Sequence, residues 1–199
     1  MEIFLIRHGE TVGNATRTIQ KPDSPLSSRG MDQARAVARR LADQNIVQIV
    51  ASDFPRARMT AEEIGRSTNA PILFEPLLQE RSFGDLRGTP FKDIDFDIFM
   101  DGYAPPGGET WEEFHARIDR AWARVLEISE SQSGNLAVVT HALVCRSLVS
   151  RHIALPMGAA VPERWENTSV TSIRRSPPHT TDLLNCAIHL DESGSGSLV

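Results

Sequence analysis

The sequence predicts an α/β fold, a three-layer α/β/α sandwich with a mostly parallel central sheet. Three short apolar runs indicate buried strands, and they are Ile3–Ile6, Ile46–Val50 and Leu136–Thr140. Segments with apolar residues at helical spacing separate these runs, as a parallel sheet with crossover helices requires. A chain of 199 residues can bury a sizeable core. We therefore predict one domain over residues 1–192.

The composition is that of an ordinary globular protein and narrows the class of partner. Hydrophobic residues make up 40% of the chain and charged residues 24%. A net charge of -5 at pH 7 argues against a nucleic acid or an anionic membrane as the main partner. Cys145 and Cys186 have neither metal-binding nor disulfide-framework spacing. With no secretory leader and no apolar run long enough for a bilayer, we expect a cytoplasmic protein.

The first half of the chain is predicted to alternate strands with helices. A turn-rich stretch follows the first strand, and a helix capped by Ser27 or Ser28 comes next. Pro55 stands in the first turn of a helix that we predict to continue to about Arg66, because proline is tolerated at that position. Ile72–Phe74 is predicted to form a short third strand.

The second half begins with a segment rich in turn residues, residues 77–109, which we call the lid. Glycine and proline punctuate Leu77–Pro90 and predict an irregular loop, and Phe91–Phe99 is predicted to be a short helix. Thr110 begins a Thr-x-x-Glu capping box, which predicts the start of a long helix. The strand that ends at Thr140 is predicted to lead into an apolar helix over Ala142–Leu155.

The last part of the chain is predicted to add two strands and a tail. The strands are expected at Val170–Arg174 and Leu184–Leu190. Residues 193–199 are Ser- and Gly-rich, and we predict a disordered tail there.

Basic residues stand where predicted strands end. His8 and His141 each follow an apolar strand although they are far apart in sequence, and Arg7 precedes His8. Arg56 lies in the first turn of the helix after another strand. Because the carboxyl ends of parallel strands share one edge of the sheet, we expect these side chains to converge. A compact cationic pocket of this kind suits a phosphoryl group.

Six short motifs are spread along the chain. They are Arg7-His8-Gly9-Glu10-Thr11 with Asn14, Leu26-Ser27 with Gly30 and Gln33-Ala34, Ser52 with Arg56-Ala57 and Thr60-Ala61, Glu80 with Phe83-Gly84, Pro106-Gly107-Gly108-Glu109-Thr110, and Val138-Val139-Thr140-His141. In this order, and over nearly the whole chain, they resemble the motifs of the histidine phosphatase superfamily, which includes the cofactor-dependent phosphoglycerate mutases. The resemblance implies a phosphoglycerate mutase-like fold and, within the family, the phosphatase branch.

The resemblance also implies a division of labour among these residues. His8 would be the nucleophile that becomes phosphohistidine, and Glu80 the general acid that protonates the leaving oxygen and then the base that activates water. Predicted substrate contacts are Arg7, Asn14, Arg56, His141 and Ala142. Ala142 departs from the family pattern, which usually has glycine after the second histidine. No cofactor or metal ion is expected, because the two arginines would repel a cation.

These roles set two conditions on protonation. The His8 imidazole must be neutral at one nitrogen, which is met if a backbone carbonyl holds its other N–H. Glu80 is predicted to have a raised pKa, because an alkoxide leaving group needs a carboxyl that is still protonated near neutrality. The alternative for Glu80 is a solvated carboxylate paired with Arg81 or Arg87.

Three functions are open to such a chain. The first is a metal-independent phosphomonoesterase acting on a small-molecule phosphate ester. The second is a cofactor-dependent phosphoglycerate mutase, which the short stretch Gly88–Pro105 disfavours because it offers few basic residues for a second anion. The third is a non-catalytic, phosphate-binding regulatory module, which the presence of every core residue disfavours. The sequence leaves the identity of the ester and the oligomeric state open, a homodimer included.

Overall fold

The computed structural model describes residues 1–191 and contains a six-stranded mixed sheet. Its strands are β1 (Glu2–Arg7), β2 (Ile46–Ala51), β3 (Ile72–Phe74), β4 (Asn135–Thr140), β5 (Val170–Arg174) and β6 (Leu183–Cys186). The spatial order is β3-β2-β4-β1-β5-β6. The first four of these run parallel to one another, and β5 and β6 complete one edge in antiparallel pairing. The predicted tail, residues 193–199, lies outside the described residues.

Five α-helices connect and cover the strands in the described part of the chain. They are α1 (Val12–Ala15), α2 (Ser28–Leu41), α3 (Pro55–Thr68), α4 (Trp111–Glu130) and α5 (Ala142–His152). Ser27 caps α2 by accepting the Gly30 N–H at 3.0 Å, and Thr110 forms the predicted capping box on α4. The short α1 was not predicted. Among residues 1–191, none of the helices has the length and apolar character needed to cross a membrane.

Two hydrophobic cores lie on opposite faces of the sheet. Ile3 and Leu5 of β1 pack with Phe114 and Ile118 of α4 and with residues of α5. Phe4 and Ile6 point the other way and pack with residues of α2 and α3. Successive side chains of one strand therefore pack into opposite cores, as strand geometry requires. These three layers confirm the predicted α/β/α architecture.

Three predicted elements differ from the structure. Phe91–Phe99 forms only a 3₁₀ turn at its start, and the Asp97 carboxylate accepts the Phe99 N–H at 2.8 Å, a local bond that competes with a helix. The last helix ends at His152 rather than Leu155, because Pro156 disfavours a helical residue before it. The last strand ends at Cys186 after Asn185, whose φ of 49° breaks the extended backbone.

Candidate active site

The two histidines of the predicted pocket lie side by side at the carboxyl ends of β1 and β4. Arg7 pairs with Thr140 in the parallel register, and the His8 N–H continues the ladder by donating to the Thr140 carbonyl at 2.9 Å. The ring centroids of His8 and His141 are 5.1 Å apart. Both side chains are removed from solvent, with relative exposures of 2% and 0%. Sheet pairing therefore brings together two residues that are distant in sequence.

The hydrogen bonding of His8 defines its tautomer. Nδ1 lies 2.7 Å from the Gly9 carbonyl oxygen, which can only accept, so Nδ1 carries the proton and Nε2 carries the lone pair. Burial, followed by the charges of Arg56 and Arg7, lowers the pKa of His8 well below 6.5. The imidazole is therefore neutral at cellular pH, and the expected carbonyl partner is confirmed.

Glycine is required where the chain leaves His8. A Cβ on Gly9 would lie 2.5 Å from the Gly30 carbonyl oxygen, and a Cβ on Gly30 would lie 2.0 Å from that of Glu10. The first turn of α2 thus packs directly against the backbone that follows the histidine. The Gly9 N–H donates to Thr60 Oγ1 of α3 at 3.1 Å, which fixes the same backbone from a second helix.

Two arginines add positive charge around the histidines. Arg56 is 2% exposed and donates through Nη1 to the Lys21 carbonyl at 3.2 Å, and burial lowers its pKa to about 10. Arg7 donates through Nη1 to the Trp165 carbonyl. Electrostatic coupling of both guanidinium groups to His8 places them in one cluster.

Several nitrogen atoms of this cluster are buried without a protein partner. Within residues 1–191, Arg7 Nε, Arg56 Nε and His141 Nδ1 make no hydrogen bond. Unpaired buried N–H groups are unfavourable, so the two arginine donors fit an anionic ligand that offers several acceptor oxygens. In the same part of the chain, no three His, Cys, Asp or Glu side chains are grouped as metal ligands.

Glu80 reaches the pocket from the lid. Its Oε2 accepts the Leu143 N–H at 3.3 Å, in the first turn of α5, and its Oε1 accepts the Arg81 N–H at 3.1 Å. Burial raises the pKa of Glu80 above 4.5, and this outweighs the opposite effect of those hydrogen bonds and of Arg56 and Arg7. The predicted direction of the shift is confirmed. Neither Arg81 nor Arg87 forms an ion pair with it in the described part of the chain.

Arg117 of α4 holds the backbone on which Glu80 stands. Its Nη1 donates to the carbonyls of Leu77 and Gln79 at 2.7 and 2.8 Å. Its Nε and Nη2 donate to the two carboxylate oxygens of Glu109 at 2.7 and 2.8 Å. A bidentate pair of this kind fixes orientation as well as distance. No role was predicted for Arg117, because it lies outside every motif.

Arg81 supports the lid from inside. It is 2% exposed, and its Nη2 donates to the carbonyls of Tyr103 and Glu109 at 2.7 and 3.0 Å. Its guanidinium lies 3.9 Å from the centroid of the Trp111 ring, within the range of a cation–π interaction. Arg81 therefore holds the irregular lid together through bonds to lid carbonyls, and it holds the lid against α4 through its contact with Trp111.

The two remaining predicted contacts lie at the margin of the cluster. Asn14 Oδ1 accepts the Thr11 N–H at 3.1 Å as part of the cap of α1. Asn167, which was not predicted as a site residue, donates to the His8 carbonyl at 3.0 Å and to Asn14 Oδ1 at 3.4 Å. Ala142 begins α5 beside His141 and is half-buried. No motif surrounds Asn167, so no sequence signal pointed to it.

Relatives of similar length match this chain over most of both sequences. The protein named "Probable phosphoglycerate mutase GpmB" from Serratia proteamaculans is 32% identical over 183 residues, which is 87% of this chain and 84% of that protein. The protein of the same name from Salmonella choleraesuis is 33% identical, with the same two coverages.

Solved structures with the same fold include phosphatases. The α-ribazole phosphatase from Shigella flexneri superposes with a TM-score of 0.81 and 27% identity, covering 94% of this chain and 97% of that one. The mycobacterial glucosyl-3-phosphoglycerate phosphatase in complex with VO3 gives 0.79 and 25%, covering 93% and 99%. The family model described as histidine phosphatase superfamily (branch 1) matches residues 3–185. With the buried histidine pair and the motifs in order, this match shows that the chain belongs to the histidine phosphatase superfamily.

Proposed function

We propose that this chain is a metal-independent phosphomonoesterase that hydrolyses a small phosphorylated metabolite through a phosphohistidine on His8. The observation that carries the proposal is the neutral His8 ring, with Nδ1 held by Gly9 and Nε2 left with its lone pair. The unpaired N–H groups of Arg7 and Arg56 and the unpaired Nδ1 of His141 face the phosphoryl oxygens in this proposal. Neutralising phosphoryl charge and aligning the nucleophile is the main task in this chemistry.

In the first step, the Nε2 lone pair of His8 attacks phosphorus and the bond from phosphorus to the ester oxygen breaks. The ester oxygen takes the proton of Glu80 as it leaves, so the alcohol departs neutral. The raised pKa of Glu80 supports this role, because a carboxyl with an ordinary pKa is ionised near neutrality. Arg7, Arg56 and His141 bind the phosphoryl oxygens throughout.

In the second step, water attacks the phosphorus of the phosphohistidine. The Glu80 carboxylate takes a proton from that water, the bond from His8 Nε2 to phosphorus breaks, and its electron pair returns to Nε2. Inorganic phosphate leaves and Glu80 is again protonated. Each group thus returns to its starting state in one cycle.

We assign selection of the ester to the lid and to the neighbouring loop that carries Lys21. Arg87 bonds through Nη2 to Ser82 Oγ at 3.0 Å and lies near enough to Arg56 to lower its pKa. Lys21 lies against the next residue of the lid, since its Cε is 3.0 Å from a Cβ placed on Gly88. These two cations, which precede Gly88–Pro105 in the chain, suit an ester that carries a second anionic group, whether that ester is hydrolysed or isomerised.

A phosphoglycerate mutase is the second candidate, and the names of the relatives favour it. Those relatives are 32–33% identical to this chain. A mutase must return the phosphoryl group of phosphohistidine to a substrate oxygen rather than to water. Hydrolysis is supported by the phosphatases among the similar structures and by the short lid.

Phosphate release from a panel of small esters, measured with chelator present, tests the proposal. The wild-type chain is expected to release phosphate, and His8→Ala to lose activity by a factor on the order of 10⁴ or more. His115→Gln is the matched control, because His115 bonds to Ser147 on α5 outside the pocket. An acid-labile phosphate on the wild-type chain after rapid quenching, absent from His8→Ala, identifies the intermediate.

The same experiment separates the alternatives. Interconversion of phosphoglycerates without phosphate release would assign the mutase. Binding of inorganic phosphate with neither activity would assign the regulatory module. Activity that disappears with chelator would overturn the metal-independent mechanism.

A further inference from the structure

Ser52 lies directly behind the second histidine of the pocket. It follows β2, and its N–H donates to the Val139 carbonyl of the neighbouring β4 at 3.0 Å. Its Oγ is 2.9 Å from His141 Nε2, and both residues are 0% exposed. The hydrogen bond is therefore fixed by strand pairing and sheltered from water.

The direction of this bond decides what His141 can do. Burial, followed by the charges of Arg56 and Arg7, lowers the pKa of His141 well below 6.5, so its ring is neutral and carries one proton. If Nε2 holds the proton, Nδ1 is an acceptor and repels a phosphoryl oxygen. If Nδ1 holds the proton, it donates to that oxygen, and Nε2 must then accept from Ser52.

The bonds around Ser52 favour the second arrangement. The Phe54 N–H donates to Ser52 Oγ at 3.3 Å, and within residues 1–191 the Ser52 hydroxyl proton has no acceptor other than His141 Nε2. His141 Nδ1 is buried without a protein partner in the described part of the chain. A donor there gains a partner when a phosphoryl group binds.

We propose that Ser52 is a positioning residue, which holds His141 in the Nδ1–H tautomer so that the ring donates to the phosphoryl group. The two imidazoles then share a tautomer for opposite tasks. In His8, the Gly9 carbonyl fixes Nδ1–H and leaves Nε2 as the nucleophile. In His141, the Ser52 hydroxyl occupies Nε2 and leaves Nδ1–H as the donor. This inference rests on the proposed phosphoryl chemistry of the same pocket.

The tautomer is measured directly by two-bond ¹H–¹⁵N NMR on the full chain labelled at histidine nitrogens. The His141 signals are assigned by comparison with His141→Asn. We expect the Nδ1–H pattern in the wild type without ligand, and a shift towards Nε2–H in Ser52→Ala. An Nε2–H pattern in the wild type, or an unchanged Nδ1–H pattern in Ser52→Ala, would overturn the proposal.

Binding and turnover provide a second readout. Ser52→Ala is expected to weaken binding of inorganic phosphate and to lower kcat/KM about 10- to 100-fold, the usual effect of removing a group that orients a site residue. Ser52→Thr keeps the hydroxyl and is expected to restore most of both. Equal losses in the alanine and threonine variants would contradict the hydroxyl's role. Failure of the proposed function is distinguishable, because a wild-type chain without phosphate release can still show the Nδ1–H tautomer.

Discussion

The strand-end pocket and the lid meet at Glu80, but they are built by different means. His8 and His141 are placed by the ladder between β1 and β4, whose N–H and carbonyl groups leave little freedom. The lid has only 3₁₀ turns among its regular elements, and Arg81 and Arg117 order it by binding its carbonyls. The nucleophile therefore stands on a rigid frame, whereas the proton donor depends on side-chain bonds. This contrast predicts that the two regions respond differently to mutation and to pH.

The largest effect within the lid is expected from Glu80→Gln, which keeps the shape of the side chain and removes its proton. With an alkyl phosphate, kcat/KM should fall on the order of 10²- to 10⁴-fold, the usual contribution of a general acid. With p-nitrophenyl phosphate the loss should be much smaller, because that leaving group needs no proton. Steady-state kinetics on both esters measures the difference.

Asp85→Asn is the control for Glu80→Gln, since Asp85 is an exposed lid carboxylate. It should leave both esters unaffected. In the wild type, kcat/KM should also fall as pH rises through the raised pKa of Glu80, because only the protonated form donates. That alkaline limb should vanish in Glu80→Gln. An equal loss on both esters would remove Glu80 from the acid role.

A medium effect is expected from Arg117→Met, which tests whether side-chain bonds order the lid. The change removes the Arg117 donors from the Leu77 and Gln79 carbonyls and from the Glu109 carboxylate, which among the described residues keeps only the Ser82 N–H, at a cost of about 2 kcal/mol in the free energy of unfolding. Urea denaturation measures this. We also expect slower turnover of alkyl phosphates than of p-nitrophenyl phosphate, because the backbone that carries Glu80 loses its support.

Arg124→Met, also on α4, is the matched control. Arg124 is 44% exposed and pairs with Glu127 on its own helix and, at 4.0 Å, with Glu75. Exposed pairs contribute little, so the free energy of unfolding should stay close to that of the wild type. Similar losses for the two variants would show that Arg117 acts as an ordinary surface arginine.

The same contrast explains what the sequence could and could not predict. Apolar runs locate β1 and β4, and because parallel strands end at one edge, His8 and His141 could be placed together from sequence alone. Arg81 and Arg117 act through bonds to distant carbonyls, which leave no periodic signal. Asn167 could not be predicted for the same reason, since it donates to the His8 carbonyl from an irregular segment. Sheet geometry is visible in a sequence, whereas side-chain support of a loop depends on the finished fold.

The smallest effect is a difference in the pH at which the two regions lose stability. The pKa values of His8 and His141 are lowered well below 6.5 in the folded chain. Below about pH 6.5, the unfolded chain therefore binds protons that the folded chain does not bind. Stability is therefore complete above about pH 6.5 and falls on acidification at up to about 1.4 kcal/mol per pH unit for each histidine. In the lid, hydrogen bonds from Arg117 and Ser82 outweigh burial and lower the pKa of Glu109 below 4.5, so its contribution is lost only in more acidic solution.

Urea denaturation between pH 7 and pH 4 separates these contributions. His8→Gln should reduce the loss of stability between about pH 6.5 and 5.5 by about 1 kcal/mol, since one titrating group is gone. Glu109→Gln should lower stability near neutrality but leave the slope in that window unchanged, because Glu109 stays ionised there. A wild-type chain with flat stability from pH 7 to 5.5 would contradict neutral, buried histidines. A changed slope in Glu109→Gln would show that titration in the pocket and titration in the lid are energetically coupled.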